Sequence, residues 1–148
     1  MKIELADSDA EILACFSVMQ HLRDLTDATD FLRRVRSQQL SGYRLAAVTD
    51  GGEPLAVAGF RIGESLAWGH HLYVDDLVTL PEARSKGYGG ALLGWLAELA
   101  CAEDAYQLHL DSGAERVDAH RFYRREGLQH SGLHFMRTLE VGDRPTRR

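Results

Sequence analysis

The run Arg84-Ser85-Lys86-Gly87-Tyr88-Gly89-Gly90 lies between an apolar segment, Leu72 to Leu80, and an amphipathic segment, Tyr88 to Ala102. A strand, a glycine-bearing turn and a helix N-terminus together form a setting for phosphate. The first N–H groups of a helix have no intrahelical partner, and the helix dipole adds partial positive charge at the same place. Gly87 and Gly89 would let an anion approach the backbone closely or supply dihedrals that other residues resist. Arg84 and Lys86 add positive charge at the rim. The same glycines are also common in any strand-to-helix connection. The full dinucleotide fingerprint and the P-loop pattern are both absent, so R-x-x-G-x-G-G gains meaning only from its surroundings.

A second group lies just upstream. Asp75 and Asp76 interrupt an otherwise apolar strand, where a carboxylate can relay a proton, cap a bulge or pair with a surface cation. Adjacent strand residues point to opposite faces, so only a bulge would bring both carboxylates to one site. The 7 histidines show no zinc-type spacing, and no metal is expected. His109 and Asp111 share a predicted strand face, as pocket-lining or solvated residues. Arg121, Arg124 and Arg125 mark a solvated helix face or contacts to a phosphate.

These residues must be positioned by one compact domain, since 148 residues form a real core with little room for a second. Residues 1–142 are read as that domain, and 143–148 as a short basic tail. The net charge of −5 argues against nucleic acid as the main partner and suits a cationic substrate. There is no basic-then-apolar leader and no membrane-length apolar run, so a cytoplasmic protein without membrane partners is expected. Cys15 and Cys101 both fall on apolar helical stripes and read as buried thiols.

Periodicity predicts a strand at Lys2–Leu5 and a helix opened by a Ser8/Glu11 capping box, with Ile12, Cys15, Phe16, Met19 and Leu22 on one face. A second helix follows from about Ala28 to Leu40, closed by Gly42. Tyr43–Val48, an Asp50-Gly51-Gly52 turn and Leu55–Ile62 form a hairpin, and a further strand runs from Trp68 to Leu80, where Pro81 ends it. The Tyr88–Ala102 helix, a strand from Tyr106, a helix over Val117–Glu126 closed by Gly127, and a last strand or strand pair over Leu128–Leu139 complete the chain. The order β-α-α-β-β-β-α-β-α-β makes an α/β fold: a mixed β-sheet flanked by helices, antiparallel in the middle with a parallel pair across the helical crossover.

Three segments in this order resemble the GNAT superfamily of acyl-CoA-dependent N-acetyltransferases. Tyr73-Val-Asp-Asp-Leu-Val-Thr-Leu-Pro81 is similar to its fourth strand. Arg84-Ser-Lys-Gly-Tyr-Gly89 resembles its Q/R-x-x-G-x-G/A pyrophosphate motif, and Ala119-His-Arg-Phe-Tyr-Arg-Arg-Glu-Gly127 its A-x-x-F-Y-x-x-x-G segment. The likeness covers nearly the full length, in pattern alone for the N-terminal helices. Arg116 stands where the family often has Asn, and Leu128 where it has an aromatic.

The resemblance implies a GNAT-like fold and transfer of an acetyl group from acetyl-CoA to a primary amine by direct attack in a ternary complex. An ammonium group of pKa about 10.4 must lose its proton first, and a carboxylate serves that end. Asp75 aligns with a position that often carries the substrate-facing acid, while Asp76 would orient the amine. Backbone N–H groups of Leu77, Val78 and Thr79 would meet the thioester and pantetheine. Arg84, Ser85, Lys86, Gly87, Tyr88, Gly89 and Gly90 would hold the pyrophosphate. Tyr123 is the implied general acid for the departing thiolate, with Phe122 packed in the core. The acceptor is expected to be a small cationic amine or, alternatively, a protein amine. A homodimer is a family-level expectation. A non-catalytic acyl-CoA-binding module and a domain holding another phosphorylated ligand are the competing readings.

Overall fold

The structure is a computed structural model describing residues 1–140. The chain divides into two compact units, Met1–Leu110 and the segment from Asp111 onward.

The first unit is built on a five-stranded sheet in the order β1-β2-β3-β4-β5. Its strands are β1 (Lys2–Leu5), β2 (Arg44–Thr49), β3 (Pro54–Ser65), β4 (Gly69–Thr79) and β5 (Gln107–Leu110). Neighbours are antiparallel except β4 and β5, which run parallel. That exception follows from connectivity: tight turns join β2, β3 and β4, whereas the 15-residue helix α4 carries the chain from β4 back to β5. The mixed sheet with flanking helices is as the sequence predicted.

Alternation along the strands separates two cores. Leu45, Val57 and Val78 share one face with Tyr43 and pack against Ile12, Cys15, Val18, Met19, Phe31 and Val35. Those residues come from α1 (Asp9–Ala14), α2 (Phe16–Met19) and α3 (Ala28–Gln39). The intervening residues Ala46, Ala58, Phe60, Leu72 and Val74 are buried on the opposite face. There α4 (Tyr88–Ala102) contacts β2, β3, β4 and β5 and buries Leu92, Leu93, Leu96 and Ala100.

The Ser8/Glu11 capping box forms as predicted: Glu11 N–H donates to Ser8 Oγ at 3.1 Å, and Ser8 N–H donates to Glu11 Oε1 at 2.9 Å. The single helix expected after it breaks at Cys15, which closes α1 and opens α2. Hydrophobic spacing remains in phase through that joint, which is why the sequence reads as one helix. Cys15 is buried but Cys101 is exposed, correcting the reading of both as buried thiols. The apolar stripe of α4 runs through Leu92, Leu96 and Ala100, and Cys101 lies just outside it.

The second unit contains α5 (Val117–Arg125), ended by Gly127 at φ +92°. No residue of α5 is fully buried, so Phe122 is not a core residue; its ring lies beside Tyr123 and under Arg125. The strand expected over Leu128–Leu139 does not form, and Leu133, Phe135, Met136 and Leu139 are exposed. A strand exists only through backbone pairing with a neighbour, and residues 128–140 form no strand ladder. The basic tail lies outside the described residues.

Candidate functional site

The ladder between β3 and β4 changes register at one point. Gly59 faces Asp76 and Phe60 faces Val74, so Asp75 is an extra residue on β4. A bulge of this kind reverses the alternation, and here it sets both carboxylates on the face that carries Tyr43 and Arg61. The condition that the sequence left open is met.

Each carboxylate has a guanidinium partner. Asp75 receives Arg61 in a two-point pair, Nη2 to Oδ1 at 2.6 Å and Nε to Oδ2 at 3.1 Å. Asp76 receives Arg23 Nε at Oδ1, 2.8 Å, and the Tyr43 hydroxyl at Oδ2, 2.7 Å. Arg23 also donates Nη2 to the Asp75 carbonyl at 2.9 Å, so one side chain fixes the bulge at two points. Both carboxylates are largely screened from water, at 18% exposure for Asp75 and 15% for Asp76. Their arginines, at 49% and 41%, reach in from solvent.

Tyr43 is buried, and burial followed by the Asp76 charge raises its phenol pKa well above the ordinary value. It is therefore a permanent donor. Its ring occupies the space over Gly59, where an added Cβ would overlap the hydroxyl and ring atoms. The hydrogen bond to Asp75 raises the Arg61 pKa further, so that side chain also keeps its charge.

The pyrophosphate-type loop begins where β4 ends. Parallel pairing with β5 stops at Val74↔Leu110, while β4 continues to Thr79 against β3 alone. From Asp75 to Thr79 one edge of β4 thus has no strand partner among the described residues. Leu77 and Thr79 turn their main-chain groups to it, whereas those of Val78 face Val57 in the β3 ladder, which corrects the expectation for Val78. A short 3-10 turn, Pro81–Ala83, then leads to exposed Arg84, Ser85, Lys86 and Gly87. Arg84 reaches back to the Thr79 carbonyl at 3.4 Å.

Gly87 is the N-cap of α4, with φ +88° and no side-chain cap over the first turn. An added Cβ there would meet nothing, so the glycine is required by its left-handed backbone rather than by lack of room. Ser85 shares that unusual region at φ +64°, a feature the sequence did not announce. Tyr88 anchors the first helical turn by donating to Asp50 Oδ2 at 3.1 Å, and Asp50 also meets the N-terminal ammonium at 3.3 Å. Those two contacts, the Tyr88 bond foremost, hold the Asp50 carboxyl below its usual range. Gly89 and Gly90 follow in the same turn, half-buried.

Tyr123 lies on α5 in the second unit. Burial raises its pKa, opposed by the charge of Arg116, and so keeps it as the phenol at neutral pH. Arg121 pairs with Asp118 at 2.6 Å on the same helix. His109 stacks on Trp68 with ring centroids 3.6 Å apart, and its Nε2 lies 2.7 Å from Gln107 Oε1. Because β5 ends at Leu110, Asp111 is not on the strand face assigned to it with His109; it lies 3.5 Å from His134. Among the described residues there is no metal-type cluster and no helix long and apolar enough to cross a membrane.

Four residues at the bulge escaped the sequence reading: Arg23, Tyr43, Gly59 and Arg61. Gly59 carried a usable signal, since a glycine inside an apolar strand marks a close approach or a bulge. The arginines carried none, because their pairing depends on a register shift invisible in one sequence.

A model of the acetyltransferase (GNAT) family matches residues 10–128. An uncharacterized N-acetyltransferase of Bacillus subtilis, YhdJ, is 35% identical over 117 residues, covering 78% of this chain and 82% of the relative. The aminoalkylphosphonate N-acetyltransferase of Salmonella typhimurium is 39% identical over 66 residues, 45% of this chain and 43% of that protein. In the fold comparison, a putative acetyltransferase from Agrobacterium tumefaciens superposes with a TM-score of 0.78 at 23% identity, covering 94% of this chain and 100% of the other. With the family model spanning most of the sequence and a relative of this identity matched over most of both chains, the protein belongs to the GNAT family of acetyltransferases.

Proposed function

We propose that this protein transfers an acetyl group from acetyl-CoA to the primary amine of a small molecule. The observation that carries the reading is the β4 bulge. It places two screened carboxylates on one face, at the point where the edge of β4 loses its partner strand.

Acetyl-CoA would lie along that edge. Leu77 and Thr79 would offer main-chain groups to the pantetheine and the thioester carbonyl, as preorganised donors do in an oxyanion hole. The loop from Arg84 to Gly90 would hold the diphosphate with the uncapped amides at the start of α4.

The acceptor arrives as an ammonium ion. Asp75, beside the half-exposed Arg61, takes its proton, directly or through water. Asp76, gripped by buried Tyr43 and by Arg23, orients the amine. The neutral nitrogen attacks the thioester carbon and a C–N bond forms; the nitrogen, now cationic, releases its extra proton to water, and the tetrahedral oxyanion collapses with cleavage of the C–S bond. The thiolate receives a proton from Tyr123, which is held as the phenol. The fold similarity and the N-acetyltransferase relatives support this chemistry, and the A-x-x-F-Y-x-x-x-G segment supports the part given to Tyr123.

Thiol release from acetyl-CoA across a panel of small primary amines is the test. Wild-type protein should turn over at least one amine. Tyr123→Phe should retain acetyl-CoA binding while losing roughly 10² or more in turnover, the scale of general acid catalysis. Tight acetyl-CoA binding with no turnover of any amine would mean a binding module instead.

A further inference from the structure

Both arginines at the bulge use the same part of the guanidinium group. Arg61 engages Asp75 through Nε and Nη2, and Arg23 engages Asp76 and the Asp75 carbonyl through Nε and Nη2. A guanidinium carries five N–H donors in a rigid plane, so a side-on contact through Nε and Nη2 leaves the Nη1–Nη2 end for a second bidentate partner. The carboxylates that fix these side chains are themselves held, Asp76 by Tyr43 and both by the bulge. Two guanidinium planes are thus oriented in advance, each with an open end in a partly exposed side chain.

The charge balance bears on what the site accepts. Two carboxylates and two guanidinium groups cancel, leaving no net negative charge to attract a simple polycation. An ammonium group with an anion attached a few bonds away matches this arrangement: cation against carboxylate, anion against guanidinium.

Resting on the acetyltransferase reading above, we propose that Arg61, with Arg23 beside it, binds an anionic group on the acceptor. The substrate is then an amine that carries its own oxyanion: a phosphonate, phosphate monoester or carboxylate. Planar bidentate recognition by arginine suits each of these tetrahedral or planar oxyanions.

The experiment compares matched acceptors: 2-aminoethylphosphonate, β-alanine and propylamine, with acetyl-CoA saturating. Wild-type protein should prefer an anionic member over propylamine by about tenfold or more in kcat/KM, the fold-change carried by a hydrogen bond to a charged group. In Arg61→Gln that preference should collapse towards unity, mainly through KM, whatever happens to the absolute rate. General damage to the site would lower all three acceptors together and preserve the ratio. Calorimetry with propylphosphonate, which has no amine to acetylate, supplies a readout independent of turnover: saturable binding in wild type and its loss in the Arg23→Gln/Arg61→Gln pair. Amines turned over without preference, or an unchanged ratio in Arg61→Gln, would overturn the anion site while leaving the acetyltransferase intact. Propylphosphonate binding without turnover of any amine would keep the anion site and remove the acetyltransferase reading. Absence of both binding and turnover would overturn this proposal as well.

Discussion

The Tyr43 hydroxyl reaches Asp76 Oδ2 at 2.7 Å by crossing over Gly59, the residue that faces Asp76 across the β3–β4 ladder. Three strands are thereby tied at one point: a side chain at the entrance to β2 passes over a gap in β3 and grips a carboxylate on β4. The gap is obligatory, since any Cβ at Gly59 would overlap the tyrosine ring.

Gly59→Ala should therefore destabilise the protein by about 1–3 kcal/mol, the range for overpacking a tight interior site. Tyr43→Phe keeps the ring and removes only the donor, and should cost about 1–2 kcal/mol because a charged acceptor loses a buried partner. Urea unfolding of both variants checks these losses. A Gly59→Ala protein as stable as wild type would mean that the tyrosine has another place to go.

Gly87→Ala separates backbone geometry from space. The new methyl group meets nothing, yet φ +88° is unfavourable for alanine, so about 1–2 kcal/mol is expected to be lost or the loop to change shape. The paired measurement is the coenzyme A dissociation constant, which should rise in the variant. Replacement of Gly42, which shares the left-handed conformation at the end of α3, should reduce stability without that effect.

The two cysteines should differ sharply in reactivity. Burial pushes the Cys15 thiol up to about 12, with the Glu11 charge adding to it, whereas Cys101 is exposed. A thiol reagent at neutral pH should label Cys101 in native protein and Cys15 only after denaturation. Rapid labelling of two thiols in the folded state would contradict the placement of Cys15 in the core.

Glu11 gives a pH prediction with a definite sign. Backbone hydrogen bonds from Ser8 and Asp7, with the Ser8 side chain, lower its pKa below the usual 4.5. A carboxyl group depressed in the folded state contributes stability above its unfolded pKa, and that contribution fades as pH falls through the folded value. Stability should hence fall with acidification below about pH 4.5 more steeply in wild type than in Glu11→Gln. Ser8→Ala should remove about 1 kcal/mol by loss of the cap. Parallel pH–stability curves for wild type and Glu11→Gln would contradict the assignment.

Much of the architecture was legible because local signals agreed with it. Lys2–Leu5 and Tyr88–Ala102 lie where alternation and helical spacing put them, and Pro81 stops β4 for the reason proline must. Leu128–Leu139 shows the limit: its apolar residues suit a strand, but pairing depends on a partner edge that no local pattern encodes. The candidate site was half readable. Asp75 and Asp76 were conspicuous as charges in an apolar strand, and the glycine loop by composition. What joins them to Arg23, Tyr43 and Arg61 is a one-residue shift of register, a property of two strands together.

Hydrogen exchange with and without coenzyme A addresses the central claim most directly, because the claim concerns main-chain amides. Binding should slow exchange at Leu77 and Thr79 and at Ser85 to Gly90, and leave the Val78 amide, held by β3, and the amides of β1 and α3 unchanged. Saturable binding that protected some other surface, or no protection at any concentration, would contradict it.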